Sequence, residues 1–194
     1  MHTPPSDWPQ LSDKLQAFYS VWQDLRGTGG TDIPFRRDLS MSKLGRLASS
    51  LTIFEFTGPG DMLVKVSGTE MDAHFSQNLS GKNIVDVIGE TAARPMIRFN
   101  ESIARHPCGG FARDKMHVEG GGRIEATYLT LPLRNAAGDL VQCASLCDAG
   151  RQGFALAPSK RAVSLDYQEF GGAQLLDIGF GVPAFTFTLK QRNR

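Results

Sequence analysis

Three cysteines and four histidines hold most of this chain's potential for metal binding, nucleophilic attack or redox chemistry. Cys143 and Cys147 lie four residues apart in a segment that reads as a strand. Both then point to one face, with α-carbons about 13 Å apart at ~3.3 Å per residue. A disulfide needs α-carbons within ~7 Å, and one metal ion cannot bridge that gap either, so buried structural thiols are expected. Cys108 follows His106-Pro107 and precedes Gly109-Gly110, a setting that predicts an exposed thiol. His106 and Cys108 together offer two of the four ligands a zinc site wants, and no second pair is near. An odd cysteine count argues against a disulfide framework, and the absence of Cys-x-x-Cys-His excludes covalently attached haem. His117 alternates with Lys115 and Glu119 and reads as a surface residue, whereas His74 sits in the helical stretch Met71-Asp72-Ala73-His74-Phe75.

Catalytic motifs are missing: there is no Gly-x-Ser-x-Gly elbow and no Walker-type loop. Gly120-Gly121-Gly122 lies between two strands rather than opening a helix, so it reads as a hairpin tip and not as a phosphate cradle. Glu125 shares its strand face with Arg123 and Thr127, which suggests a solvated stripe more than a general base. Arg36-Arg37-Asp38 has two readings. The guanidiniums can clamp a flanking helix to the domain through bidentate bonds, or they can dock an acidic partner or an anionic ligand.

The elements that must position these groups follow from periodicity. Residues 1–10 form a loose arm rich in proline. Ser12 or Asp13 then caps a helix to about Arg26, whose apolar stripe is Leu11, Leu15, Phe18, Tyr19, Trp22 and Leu25. That stripe either packs on the chain's own sheet or pairs with a second copy. A short helix over 40–47 with Ser40 as cap precedes two strands, 50–56 and 62–67, joined by the turn residues 57–61. Short helical turns follow to Glu90, then a longer helix that starts near Ala92 to Pro95 and ends at Arg105. Strands over 111–119, 123–133 and 140–148 close the set, and strand-like segments recur at 162–167 and 184–189. Close hairpin connections predict an antiparallel sheet with helices on one face.

The 194 residues suit one domain of ordinary size, and 21 Lys plus Arg against 20 Asp plus Glu give no global charge to recruit nucleic acid or an anionic membrane. No run approaches the ~18 apolar residues of a membrane span, and residues 1–10 lack a signal-peptide pattern, so a cytoplasmic protein is expected.

Phe18-Tyr19 and Trp22, Pro34-Phe35-Arg36-Arg37-Asp38-Leu39, Lys43-Leu44-Gly45-Arg46, Val66-Ser67-Gly68-Thr69, Leu79-Ser80-Gly81 and Leu131-Pro132-Leu133 carry a further signal. Over roughly residues 15–148 the chain resembles a PAS-like, single-domain family of alphaproteobacteria, the PAS_5 type. The resemblance implies an α+β fold: a five-stranded antiparallel sheet with helices on one face, an N-terminal flanking helix and a C-terminal β-rich extension. The divisions would be 1–30, 31–150 and 151–194, the last able to extend the sheet edge or pack on a partner. The function implied is sensory or regulatory and non-catalytic: binding of a small-molecule ligand, a signalling protein, or both, with no nucleic acid. Phe54, Phe56, His74, Met96, Phe99 and Leu146 are the expected cavity lining, with His74 able to contact a ligand or haem. Phe18, Tyr19, Trp22, Arg36 and Arg37 are the expected contacts with a partner or with a second copy in a homodimer. No cofactor is identified; a light-sensing flavin is disfavoured, because no cysteine lies in an Asn-Cys-Arg-Phe type segment. Two rival readings are an interaction adaptor with a filled core, and a small cone-shaped α+β enzyme using His74 with Asp72 or Glu125.

Overall fold

The computed structural model describes residues 2–27, 32–118, 122–149, 162–165 and 172–184. Ser12 starts the first helix, α1 (Asp13–Asp24): its Oγ accepts the Leu15 N–H at 3.4 Å. Ser40 does the same for α2 (Met41–Leu44), accepting the Lys43 N–H at 3.4 Å. Strands β1 (Leu51–Gly58) and β2 (Asp61–Ser67) form a hairpin, followed by α3 (Thr69–Phe75), α4 (Ile84–Ile88) and α5 (Glu90–Arg105). Strands β3 (Gly109–Val118), β4 (Gly122–Leu133) and β5 (Gln142–Asp148) complete the order read from the sequence. Helix α5 begins before the expected start, so Pro95 lies in its second turn and not its first.

The sheet is antiparallel throughout, with β2, β1, β5, β4 and β3 in that order. It is wider than five strands. Strands β6 (Ala162–Leu165) and β7 (Gly172–Leu176) both pair with β3, at Met116–Val118 and Gly109–Arg113 respectively, so the extension covers the edge of the sheet. The tip at residues 119–121, the side chains of Lys115, His117 and Arg123, and most of the second predicted C-terminal strand (185–189) lie outside the described residues.

Strand alternation divides the core in two. Leu51, Ile53, Leu129, Leu131, Leu133, Ala144 and Leu146 point to one face; Phe54, Ala126, Cys143 and Cys147 point to the other. Helices α3, α4 and α5 cover the second face, and the flanking helix α1 covers the first. The α1 stripe is buried against the chain's own sheet: Phe18 and Trp22 are 0% exposed and Tyr19 5%. These three side chains therefore do not face a second copy, because the sheet already occupies the surface they would offer.

The N-terminal segment is docked rather than loose. Trp8 meets Tyr19 edge-on at 5.0 Å and its Nε1 donates to the Asp177 carbonyl at 3.2 Å. Arg26 completes the attachment, stacking over Trp22 and Phe180 and donating to the Ile178 carbonyl at 2.8 Å. Asp177 holds its own turn by accepting the Gly179 and Gly181 N–H groups at 2.7 and 2.8 Å. Thus both ends of the described chain meet beside α1.

Candidate functional site

An internal cavity of about 70 Å³ lies between the second sheet face and helices α3 to α5. Its floor is built from residues that alternate inward along four strands: Thr52 and Phe54 on β1, Ser145 and Cys147 on β5, Tyr128 and Thr130 on β4, Ala112 and Asp114 on β3. Several are small, so they leave space that leucines at the same positions would fill. The roof comes from Met71 and Phe75 on α3, Ile84 on α4, and Met96, Phe99 and Asn100 on α5. Gly110 determines how closely α5 approaches. A Cβ there would lie 2.3 Å from Ile103 Cδ1 and 2.7 Å from Phe99 Cζ, so the bare glycine lets the Phe99 ring reach the wall.

The polar groups of this wall are mostly engaged with one another. Thr130 Oγ1 donates to Ser145 Oγ at 3.0 Å, and Tyr128 hydrogen-bonds Cys147. Asn100 Nδ2 donates to the Met96 carbonyl at 2.9 Å, one turn back on its own helix. Its Oδ1 is buried and has no hydrogen-bond partner among the described residues.

Of the six residues expected to line a cavity, Phe54, Met96 and Phe99 do so. Phe56 shares the face of Phe54 but borders a shallower groove beside Glu101, Ala104 and Arg105 at the end of α5. His74 is buried at 9% exposure with its ring edge-on to Phe75 at 5.3 Å, behind the wall and not in it. Burial pushes its pKa down, which favours the neutral ring. Leu146 belongs to the opposite face, against α1. Strand alternation gives the reason: with Cys143 and Cys147 on one face, Leu146 falls on the other. Thr52, Asn100, Asp114 and Tyr128 escaped notice, because polar residues read as surface until a roof is placed over them.

The cysteines do not pair: all three are free and buried. Cys108 is 0% exposed among Phe99, Ile103 and Ala112, contrary to its expected exposure, because α5 closes over it. Burial raises its pKa, and that of Cys147, to about 12, and pushes Cys143 up as well, so these thiols stay protonated and unreactive. Only Cys147 of the three lines the cavity.

The arginine motif works differently from the expected clamp. Among the described residues neither Arg36 nor Arg37 is ion-paired. Arg36 donates to the Leu39 carbonyl at 3.1 Å, and Arg37 is exposed with its guanidinium over the Phe35 ring at 4.3 Å. The fastening is made by backbone: Arg36 N–H to the Arg134 carbonyl at 2.8 Å and Arg134 N–H to the Pro34 carbonyl at 2.9 Å.

The residues of the enzyme reading, His74 with Asp72 or Glu125, are not gathered at the cavity. Asp72 Oδ1 accepts the Leu79 N–H at 3.0 Å, Glu125 is exposed, and neither lines the cavity. Among the described residues no group of three or more His, Cys, Asp or Glu could hold a metal ion, and no helix is long and apolar enough to cross a membrane.

A family model described as a PAS domain, PAS_5, matches residues 11–146. Among solved structures, the light-state structure of the blue-light photoreceptor Aureochrome1 LOV aligns at 12% identity and a TM-score of 0.40, over 60% of this chain and 91% of that one. An RNA-binding light-oxygen-voltage receptor aligns at 16% identity and a TM-score of 0.41, over 64% of this chain and 38% of its own. No curated protein matches the chain.

Proposed function

The chain belongs to the PAS domain family, and from that premise we propose that it is a non-catalytic, cytoplasmic sensory module that binds a small molecule in its internal cavity and passes the state of that cavity to a protein partner. The observation that carries the reading is the cavity itself: a mainly apolar space of about 70 Å³ roofed by three helices. An adaptor with a filled core has no use for such a void, since each lost contact lowers stability.

Helix α3 supports a route out of the cavity. Met71 and Phe75 touch the space, while Glu70, at the start of the same helix, accepts hydrogen bonds from Ser49 Oγ at 2.8 Å and from Ser50. Lys14 of α1 donates to Ser50 Oγ at 2.6 Å and approaches Glu70 at 3.4 Å. A ligand that shifts α3 therefore alters the anchoring of α1. The exposed Arg37 is the member of the predicted contact set still presented to a partner.

The Glu70 network has a pH signature. Burial by itself raises the Glu70 pKa, but hydrogen bonds from Ser50 and Ser49 and the nearby Lys14 charge outweigh it and hold the carboxyl below its usual range. A depressed folded-state pKa stabilises the fold at pH values above the ordinary glutamate range, and the contribution disappears as pH falls through the lowered value. Glu70→Gln is expected to lower the denaturation midpoint at neutral pH, and the gap to wild type should narrow as pH falls through and below the ordinary glutamate range. A gap that stays constant with pH would show that the carboxylate charge is not what holds the network.

Native against denaturing mass spectrometry on freshly purified protein, with an absorption spectrum across roughly 300–600 nm, tests the function. Mass lost on denaturation supports the sensor reading and gives the ligand's size and colour. A bare mass that no small-molecule library shifts in native spectra or thermal stability would overturn it in favour of the adaptor.

A further inference from the structure

The cations of this chain are unevenly neutralised. Lys14, Lys65, Arg94 and Arg105 each ion-pair with a glutamate. Residues 33–46, with the turn 134–139 to which their backbone is bonded, carry five cations against two acids, Asp38 and Asp139. Among the described residues none of those five is ion-paired. Lys82, Arg98 and Arg113 are unpaired in the same sense, but they stand in three separate parts of the chain.

Four of the five touch backbone or a ring instead. Arg36 donates to the Leu39 carbonyl at 3.1 Å and Lys43 Nζ to the Asp38 carbonyl at 3.2 Å, so two charges rest on neighbouring carbonyls of one turn. Arg37 lies over the Phe35 ring at 4.3 Å, and Arg134 donates to the Gly138 carbonyl at 2.7 Å. Carbonyls and rings orient a cation without neutralising it, so its charge stays available to a carboxylate. Burial lowers the pKa of Arg36, and an anion beside it would oppose that shift. Arg46 is exposed a few residues on.

Met41 opens α2 among these charges and is 46% exposed. An exposed apolar side chain beside cations suits a protein surface. Single-stranded nucleic acid wants open rings for its bases, and the Phe35 ring is already taken by Arg37. The charges are spread over α2 and two turns, which fits a run of carboxylates better than one phosphate.

Resting on the partner-contact part of the reading above, we propose that this corner docks an acidic segment of a protein partner, whose carboxylates meet Arg37, Lys43 and Arg46 while one of its apolar side chains covers Met41. From here the chain runs through a 3-10 turn, Gly45–Ser50, to the two serines that hold Glu70 of α3. Docking and the position of the cavity roof thus share one stretch of backbone.

A fluorescently labelled peptide of repeating Glu-Glu-Leu units provides the test, read by anisotropy at about 50 mM salt so that screening does not hide the contact. The wild-type protein should bind it, and Arg37→Glu with Lys43→Glu should weaken binding about tenfold or more. Lys82→Glu with Arg98→Glu makes the same charge change elsewhere and should alter binding by less than about twofold. Met41→Ser should weaken it about threefold, and no loss there would overturn the apolar part of the contact. Equal losses in the two double variants would reduce the effect to net charge and overturn the site. Absence of wild-type binding would overturn it too, as would tighter binding of a single-stranded RNA of matched charge. The four substituted cations are exposed, so the fold is not at stake, and circular dichroism checks that. No cavity occupant takes part in the titration, so a failure here leaves the mass-spectrometric test of the sensor reading standing on its own.

Discussion

Trp22→Ala is expected to cost about 3–5 kcal/mol of stability, a large share of the ~5–15 kcal/mol typical of a domain. The indole is 0% exposed, wedged between α1 and the sheet, and packed with Leu131 and Leu133 in the same core. Its Nε1 also donates to the Pro132 carbonyl at 3.0 Å. Truncation therefore opens a cavity and strands a buried acceptor in one step. Guanidinium denaturation followed by far-ultraviolet circular dichroism would measure it. A loss below about 1 kcal/mol would mean that α1 is not held on the sheet, and would reopen the stripe as a contact for a second copy. Trp22→Glu should be worse still, because it places a charge where no partner waits. A folded monomer from that substitution is thus not the expected result.

Gly68→Ala should be the other severe change. A Cβ at Gly68 would lie 2.3 Å from the Ser49 carbonyl oxygen and 2.4 Å from that of Ala48. These are backbone atoms and cannot swing aside as a side-chain end would. The backbone conformation at Gly68, φ −76° and ψ 156°, suits any residue, so the requirement is room and not torsional freedom. Relief demands that the joint between β2 and α3 move as a unit, at a cost of about 3 kcal/mol, the upper end for overpacking. Since α3 roofs the cavity, ligand affinity should fall with stability. Gly58→Ala is the control: nothing lies within 4 Å of the added carbon, and a change within about 0.5 kcal/mol is expected. Equal effects at the two glycines would refute the steric argument.

These two residues also explain why the family signal outran the functional one. Trp22 and Leu131-Pro132-Leu133 meet in the core under α1, and Gly68 fits between α3 and the carbonyls of Ala48 and Ser49. Pro34 to Arg36 zips to Arg134, and Gly81 takes a φ of 83° while its N–H reaches the Val64 carbonyl at 2.7 Å. These motifs build the frame of the fold. The polar residues that give the cavity its character, Asn100 and Asp114, belong to none of them.

What the sequence by itself determined was local and periodic. Ser12 and Ser40 as caps, the order of strands and helices, and the shared face of Cys143 and Cys147 all follow from side-chain chemistry or from repeats of 3.6 and 2 residues. Tertiary structure alone decided which surfaces meet. It placed α1 on the sheet face opposite α3 to α5, closed α5 over Cys108, set β6 and β7 against β3, and roofed a space that leaves one oxygen of Asn100 unsatisfied. The physical reason is that periodicity states which side of an element seeks burial, but not which neighbour will bury it. A void belongs to no single element: it exists only where several walls fail to meet.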